Sequence, residues 1–569
     1  MQKELPSPRV LRLPGAILLA TILALTTAPV AAQQAWTPPA HGFPQTAAEL
    51  SNFEVTTSHQ EMWDFLKALR GVSPDMRLGV YGKTWEGRDI PYAIFSKPLV
   101  SEPWEAWALG RPIVLLAANV HGGERTFREG LLILMRDLAT PGTSANQLLD
   151  ELVVLVVPQI NPDGYEASER GIRGNAWGID MNRDYVKLEQ PSLRAYVSNL
   201  MAAWRPHMLV DSHNGGSRPY NLAYQCPSHF DPARELTLVC DQEIFPAIND
   251  KLAGEGFRAW YYSGGDEEGW RVGGNQARIG RNYAGFINAI GILFEAPGQE
   301  PEEGARAGYL GNLTVLEYAV QHSAKVMALV DEARRETVAM GAEPRGEIAV
   351  QMEYEPEDYT VDYTVITGGR WSEPETPVDT IEVTGAQLLK KPVPTLTRAR
   401  PWAYLLPRDA VDAVTLLRQH GITVEVLTEL DSLTVDAYVV EEVTHEQAYN
   451  HAAATRVHVG EVVTRTEGFP EGTFVVPTAQ FLGRLVTHML EPETDDNVVY
   501  WNTMDAWIPR PVPEAEEAEE EEDMPQRYRR DEPQGPPILP IYKLMEPTPL
   551  STVLLHEGYR TQAPPGQGR

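Results

Sequence analysis

The feature that most constrains the fold is an apolar run, residues 113–120, which ends directly before His121 and Glu124. A run of this length between a proline and a pair of glycines is typical of a buried β-strand. In open α/β sheets, ligands bind at the carboxyl ends of the strands, which is where this histidine and glutamate stand. A neutral imidazole and a carboxylate are both zinc ligands. The motif also fits a polar turn after a core strand, so the rest of the chain has to distinguish the two interpretations.

Length and charge limit the classes of protein to which the chain can belong. With 569 residues, of which 43% are hydrophobic, two or three domains with a sizeable core are expected. The formal net charge of -31 argues against nucleic acid or an anionic membrane surface as a partner. No stretch after residue 32 has the roughly 20 apolar residues that a membrane span needs. We therefore expect no nucleic-acid partner and no stable membrane insertion after signal cleavage.

The first 32 residues have the layout of a secretory signal peptide, since Lys3, Arg9 and Arg12 precede an apolar stretch and small residues follow it. An uncleaved membrane anchor is the alternative, but the apolar stretch is short for a span. The prediction is a mature chain that starts near residue 33 and is secreted or periplasmic.

The sequence contains two cysteines, Cys226 and Cys240. In an oxidising compartment they can form one disulfide. Their geometry cannot be derived from the sequence, so the paired and the free state both stay open here.

Composition divides the chain into segments with different expected structures. Residues 33–49 are rich in proline and alanine and are predicted to be a linker. In residues 50–340, strand-like runs alternate with helical segments, which predicts an α/β domain with a mixed, largely parallel sheet flanked by helices. Residues 341–569 contain short alternating runs and a βαβ-like unit, which predicts a smaller C-terminal α/β or β-rich domain. Residues 514–523 are acidic except for two alanines and are predicted to be a solvated loop, with an acidic tail as the alternative.

Residues 128–138 and 192–204 are predicted to be helices of the first domain, and two further helices are predicted at its beginning and end. One covers residues 59–69, and its apolar side is formed by Met62, Phe65, Leu66 and Leu69. The other covers residues 315–335 and is predicted to close the domain.

Polar groups follow each of four predicted strands, at residues 113–120, 152–157, 208–210 and 290–294. In order along the chain, these groups are His121, Glu124, Arg173, Asp180, Asn182, Arg183, His213 and Glu295. Taken singly, each also fits an ordinary structural role such as a capping group or a surface ion pair. Because the carboxyl ends of parallel strands meet at one edge of a sheet, we expect these side chains to form one site.

This ordered set, within residues 50–335, resembles zinc metallocarboxypeptidases of the carboxypeptidase A type. The resemblance implies an α/β catalytic domain and one Zn²⁺ per chain, held by His121, Glu124 and His213. It also implies that Glu295 is the general base. Three protein ligands leave zinc one open position for water, which is consistent with catalysis.

The resemblance assigns further residues to the substrate. Asn182 and Arg183 match the pair that holds the substrate's terminal carboxylate, and Asp180 matches the carboxylate that orients the first zinc histidine. Arg173 matches the arginine that polarises the scissile carbonyl, with Arg170 as a rival for that role.

Two features depart from the family pattern. The tyrosine that caps the substrate cannot be aligned, and the candidates are Tyr261, Tyr262 and Tyr283. Residues 474–480 and 490–494 resemble the extension of large secreted bacterial members, from which no role follows.

The function expected from these residues is that of a secreted zinc metallocarboxypeptidase, which hydrolyses the C-terminal peptide bond of a peptide or protein through a zinc-activated water. The first alternative is a zinc amidohydrolase that acts on acylamino acids or peptidoglycan stem peptides. The second is a catalytically inactive binding protein.

Overall fold

The structure is a computed structural model and describes residues 42–367, 379–508 and 537–556. The predicted signal peptide (1–32), the first part of the predicted linker and the predicted acidic loop (514–523) lie outside the described residues. All described residues belong to one compact unit. The domain boundary near residue 340 stays a prediction.

The secondary structure elements are numbered in chain order. The strands are β1 Met76–Lys83, β2 Asp89–Ser96, β3 Ile113–Ala118, β4 Val153–Val157, β5 Met208–His213, β6 Leu222–Gln225, β7 Ala259–Tyr261, β8 Ser263–Gly265, β9 Gly269–Val272, β10 Ile290–Glu295, β11 Glu347–Thr367, β12 Asp379–Ala399, β13 Ala403–Leu406, β14 Glu425–Leu427, β15 Asp431–His445, β16 Thr455–Phe469, β17 Phe474–Pro477, β18 Ile538–Leu544 and β19 Thr552–Leu554. The helices are α1 Ala47–Leu50, α2 His59–Val72, α3 Pro103–Ala108, α4 Thr126–Ala139, α5 Ser144–Gln147, α6 Pro162–Glu166, α7 Pro191–Tyr196, α8 Arg234–Val239, α9 Phe245–Ala253, α10 Gly280–Phe286, α11 Pro301–Gln321, α12 Ser323–Ala342, α13 Val411–Gln419 and α14 Gly483–Leu490.

A central sheet of eight strands, in the order β1-β2-β4-β3-β5-β10-β6-β7, carries the strands predicted to form the site. The four middle strands β4, β3, β5 and β10 are mutually parallel. Strands β1 and β2 pair antiparallel with their neighbours, and β6 is antiparallel to β10 but parallel to β7. The register sets Glu295 at the end of β10 directly opposite His213 at the end of β5. The predicted mixed, largely parallel α/β sheet is confirmed.

The sequence of β3 is apolar without interruption because the strand is buried on both faces. Val114, Leu116 and Ala118 pack in the hydrophobic core on one face of the sheet, and the alternate residues pack in the core on the other face. Because successive side chains of a strand point to opposite faces, a strand covered on both sides has no position for a polar residue.

The two cores are covered by different parts of the chain. Helices α2, α4, α9 and α11 contribute to one core, while α7 and buried residues of β13 and α14 contribute to the other. The predicted apolar side of α2 is confirmed, and Ser58 and Glu61 form a capping box at its start.

The predicted closing helix over residues 315–335 is corrected by the structure, which has two helices there, α11 and α12. The break lies at His322, whose φ of -120° and ψ of 30° are not helical. The apolar pattern of the sequence continues across His322, so the pattern does not show that one helix ends and another begins there.

The sequence of residues 341–400 predicts β structure in short runs with loops, whereas the structure has two long antiparallel strands there, β11 and β12. Much of this pair is exposed on both faces, so the apolar alternation typical of a half-buried strand is weak. The pair joins β9 and β8 in a second sheet.

The C-terminal part forms a third sheet of seven strands, in the order β16-β15-β18-β13-β17-β14-β19. The predicted βαβ-like unit corresponds to β13, α13 and β14, but β17 lies between the two strands and is antiparallel to both. The expected additional β-rich region is thus present.

The two cysteines form a disulfide between the end of β6 and α8, with their Cα atoms 6.5 Å apart. Within the part of the chain that the structure describes, no helix has the length and apolar character needed to cross a bilayer.

Candidate metal centre

The turn after β3 brings His121 and Glu124 together. Asn119 has a left-handed φ of 62°, and its side-chain Nδ2 donates to the carbonyl oxygens of His121 at 2.9 Å and Glu124 at 2.8 Å. A Cβ on Gly122 would lie 2.1 Å from the carbonyl carbon of Gly164, so only glycine fits there. The turn is therefore fixed both by a side-chain cap and by a close backbone approach.

Three side chains converge at the carboxyl ends of β3 and β5, namely His121, Glu124 and His213. Nδ1 of His121 lies 2.8 Å from Glu124 Oε1, and Nδ1 of His213 lies 2.9 Å from Glu124 Oε2. The two Nδ1 atoms are 3.2 Å apart. The ligand atoms of the three side chains all lie within 4.8 Å of one another. We call these three residues the catalytic cluster.

Each histidine of the catalytic cluster has a carboxylate behind it. His121 Nε2 donates to Asp180 Oδ1 at 2.9 Å, and His213 Nε2 lies 3.0 Å from Asp211 Oδ2. The hydrogen bond to Asp180 keeps the proton of His121 on Nε2 and leaves its Nδ1 lone pair for a metal, whereas Asp211 lies close to His213 Nε2 without forming a hydrogen bond. Asp211 was not among the predicted site residues, although its position two residues before His213 on one strand places both side chains on the same face.

The charge around the catalytic cluster favours a cation. Burial alone would lower the pKa of both histidines, but the negative charge of Glu124 and the contacts to Asp180 and Asp211 outweigh it and raise both pKa values. The two imidazoles in turn hold the pKa of Glu124 well below its usual range. Two imidazoles and a carboxylate are a donor set that zinc binds in catalytic sites, so these residues fit zinc.

Glu295 ends β10 opposite His213 and is only 7% exposed. Burial raises the pKa of its carboxyl group to about 7. A Cβ on Gly215 would lie 2.5 Å from Glu295 Oε2, so glycine leaves this carboxylate its space. No described residue forms a hydrogen bond with the Glu295 carboxylate, which leaves it available to a ligand.

The structure brings Arg173, and not its rival Arg170, to the catalytic cluster. Arg173 Nε donates to Asp180 Oδ2 at 3.0 Å, and its Nη1 lies 3.5 Å from Glu124 Oε1. The side chain is 54% exposed, so its remaining donors face solvent. Arg170 is exposed and contacts no described residue through a hydrogen bond or ion pair.

Asn182 and Arg183 lie beside the catalytic cluster but differ in their contacts. Asn182 is buried, its Oδ1 accepts the backbone N–H of Gly280 at 2.9 Å, and its Nδ2 lies 3.5 Å from His213 Nε2. Arg183 is half-buried and donates through Nη1 to the Asn182 carbonyl oxygen at 2.9 Å. In the described ranges, no carboxylate lies within ion-pair distance of Arg183.

Of the three candidate tyrosines, the structure brings Tyr262 to the site. The negative charge of Glu295, together with burial, raises the pKa of Tyr262 to about 12. Tyr261 instead donates to Asp241 Oδ1 at 2.9 Å, and the buried Tyr283 bonds to Nδ1 of His420 at 2.7 Å.

Two neighbouring residues could not be found from the sequence. Arg281, in the first turn of α10, is buried near Glu295 and Tyr262. Asn450, in the C-terminal region, accepts the backbone N–H of Asp180 through Oδ1 at 2.9 Å. Neither belongs to a motif, and only the tertiary fold brings them to the site.

Comparison with known proteins agrees with this arrangement. Residues 62–227 match the family model described as zinc carboxypeptidase, and this range includes the whole catalytic cluster. Carboxypeptidase 2 of Trichophyton equinum is 27% identical over 446 residues, which cover 73% of this chain and 78% of the relative. The human carboxypeptidase N catalytic chain is 31% identical over 161 residues, 25% of this chain and 33% of the relative.

Among solved structures, a metallo-carboxypeptidase from Burkholderia cenocepacia is similar with a TM-score of 0.38 and 19% identity, over 47% of this chain and 70% of that one. Residues 62–227 are thus similar to the zinc carboxypeptidase family, and relatives named carboxypeptidase align along most of the chain.

Proposed function

We propose that this protein is a zinc metallocarboxypeptidase that hydrolyses the C-terminal peptide bond of peptides or proteins. The observation that carries the proposal is the convergence of the catalytic cluster with Glu295, a buried carboxylate that is opposite His213 in the strand register. Three ligands with a separate base are what hydrolysis at a metal requires.

In this proposal His121, Glu124 and His213 hold one zinc ion per chain. A zinc ion bound there supplies a Lewis acid and lowers the pKa of a coordinated water to about 7. Glu295 accepts a proton from the attacking water and passes it to the nitrogen of the leaving amine. The raised pKa of its carboxyl group suits a group that takes and returns a proton near neutral pH.

Arg173 is proposed to stabilise the oxyanion that forms on the scissile carbonyl, because its half-exposed guanidinium lies beside Glu124. Asp180 is proposed to orient His121. Asn182 and Arg183 are proposed to bind the terminal carboxylate of the substrate. The absence of a described carboxylate partner for Arg183 supports this role, since a guanidinium binds a carboxylate in a two-pronged fashion.

We also propose that the protein acts outside the cytoplasm, secreted or periplasmic. The signal-peptide layout of residues 1–32 and the Cys226–Cys240 disulfide support this location. N-terminal sequencing of the protein from culture medium or periplasm should give a start near residue 33. A start at residue 1 on protein from these fractions would contradict cleavage.

The deciding experiment uses two peptides of the same sequence, one with a free C-terminal carboxylate and one with a C-terminal amide. The free peptide should lose its last residue, and the capped peptide should stay intact. Arg183→Ala should lower kcat/KM for the free peptide. The expected loss of transition-state stabilisation is about 2–5 kcal/mol, the range for truncating one partner of a buried charge pair. Equal cleavage of both peptides by the wild type would instead favour an amidohydrolase.

A further inference from the structure

A second arginine near the site also lacks a carboxylate partner. Arg281 is only 3% exposed. Its Nη2 donates to the carbonyl oxygen of Gly274, and its Nε has no hydrogen-bond partner among the residues that the structure describes. None of the described carboxylates lies within ion-pair distance. A full positive charge is thus buried with one neutral backbone acceptor.

Helix α10 places this charge in the substrate region. The backbone N–H of Gly280, one residue earlier, donates to Asn182 Oδ1 at 2.9 Å, which joins the start of α10 to the Asn182–Arg183 pair. Asn282, one residue later, donates through Nδ2 to the Gly274 carbonyl oxygen at 3.1 Å. The residues on both sides of Arg281 are therefore held by hydrogen bonds, which fixes the backbone from which its side chain extends.

The charges around Arg281 show which groups it faces. Burial lowers the pKa of Arg281, while the charges of Tyr354, Tyr262 and Glu295 act in the opposite direction. The positive charge of Arg183 also lowers the pKa of Arg281, so the two guanidiniums lie near each other.

The neutral polar groups beside Arg281 are occupied with one another. Tyr354 donates through its hydroxyl to Ser228 Oγ at 2.7 Å and to the Gly273 carbonyl oxygen at 3.0 Å. Gln225 accepts the Gly273 N–H at 2.9 Å and donates through Nε2 to Ser228 Oγ at 3.1 Å. Because these groups bond to one another, they do not accept hydrogen bonds from the remaining donors of Arg281.

An uncompensated buried charge is costly, and a partner of opposite charge removes much of that cost. A peptide that ends in aspartate or glutamate brings two carboxylates, one on the backbone and one on the side chain. We propose that Arg281 binds the side-chain carboxylate while Arg183 binds the terminal one, so that the enzyme selects peptides with an acidic C-terminal residue. This inference rests on the proposed function and names its substrate class.

The test compares kcat/KM on peptides that differ only in a C-terminal glutamate, glutamine, lysine or phenylalanine. The glutamate peptide should exceed its isosteric glutamine partner by about tenfold or more, which corresponds to about 1.4 kcal/mol. In Arg281→Met the glutamate-to-glutamine ratio should fall to near one, mainly through KM. The matched control, Arg271→Met, removes an equal charge from an exposed position on β9 and should leave the ratio unchanged.

A lysine or phenylalanine preference in the wild type would overturn the inference, as would an Arg281→Met variant that loses activity equally on all peptides. Calorimetry on the wild type with free glutamate and free glutamine keeps the test decisive if the variant does not fold. Glutamate should bind at least tenfold more tightly, and equal binding contradicts the role of Arg281. Failure of the proposed function would appear differently, as cleavage of none of the four peptides.

Discussion

Among the residues that the structure describes, two clusters have nearly the same composition and different surroundings. Each consists of two histidines and an acid whose ligand atoms lie within 4.8 Å of one another. The ring centroids of the two histidines are 4.9 Å apart in one cluster and 5.1 Å apart in the other. One is the catalytic cluster, and the other, which we call the junction cluster, consists of His229, Asp231 and His488.

The surroundings of the catalytic cluster are negative. Asp180 and Asp211 lie behind its histidines, and Glu295 faces them from β10. In spite of burial, Glu124 and Asp180 raise the pKa of His121, and Asp211 and Glu124 raise the pKa of His213, so the site stabilises positive charge.

The surroundings of the junction cluster combine deep burial with several arginines, although Asp495 also lies 3.7 Å from His488. Burial, followed by the charge of the other histidine for His229 and of Arg278 for His488, lowers both histidine pKa values to about 3. Burial raises the pKa of Asp231 to about 6, although Arg400 and Arg484 act against it. The comparison teaches that proximity of ligand types is not enough, and that the charges behind the ligands decide which cluster suits a cation. We therefore expect zinc in the catalytic cluster alone.

The largest expected effect comes from removing a ligand of the catalytic cluster. His121→Ala and His213→Ala should each lose bound zinc and with it all measurable peptidase activity, because two ligands rarely hold zinc. Elemental analysis of the purified proteins measures the metal. Full zinc content in both variants would show that the ligands lie elsewhere.

Changing Glu295, the proposed general base, should reduce activity without reducing the metal content. Glu295→Gln should keep its zinc and lose about 10²–10⁴-fold in turnover, the range for general acid–base catalysis. Steady-state kinetics and elemental analysis on the same preparation test both halves. Turnover within a few-fold of wild type would mean that another residue is the base.

The contribution of the negative surroundings is tested by Asp180→Asn, which keeps the shape of the side chain but removes its charge. Zinc affinity should fall by about 10–100-fold, as for other groups that hold a metal-ligating histidine. Competition with a chelator of known affinity gives the dissociation constant. An unchanged affinity would refute the importance that the comparison gives to charge behind the ligands.

The smallest effect on metal is expected in the junction cluster. His488→Ala should retain the zinc content of the wild type, because Arg278, Arg400 and Arg484 disfavour a cation there. Elemental analysis of a folded variant measures this. Loss of one zinc equivalent in that variant would contradict the expectation that zinc binds in the catalytic cluster alone.

The sequence predicted the parts of the fold and site that depend on strand ends. The run at residues 113–120 is apolar because β3 is buried on both faces, and this burial makes its carboxyl end recognisable. The proposed ligands His121, Glu124 and His213 lie at or just after such strand ends. Their roles, like those of the other site residues, stay predictions until the variants are measured.

Other parts depend on distances that no sequence pattern encodes. The disulfide required Cys226 and Cys240 to approach to 6.5 Å between Cα atoms, which only the packing of α8 on the sheet determines. Likewise, the position of Tyr262 near Glu295 and the burial of Arg281 result from tertiary placement. The sequence predicted β structure at β11 and β12 but not the length of the two strands, because much of that length is exposed on both faces and carries little periodic signal.

Asn450 has a consequence for how such enzymes evolve. Its side chain supports the backbone of Asp180, and its carbonyl oxygen accepts a bond from Lys187 Nζ at 3.0 Å. A gene crossover near codon 340 between two distant homologues would pass on every zinc ligand from one parent and the support of Asp180 from the other. We expect such hybrids to be impaired even though their ligands are complete, so that natural selection keeps the two halves of this gene together.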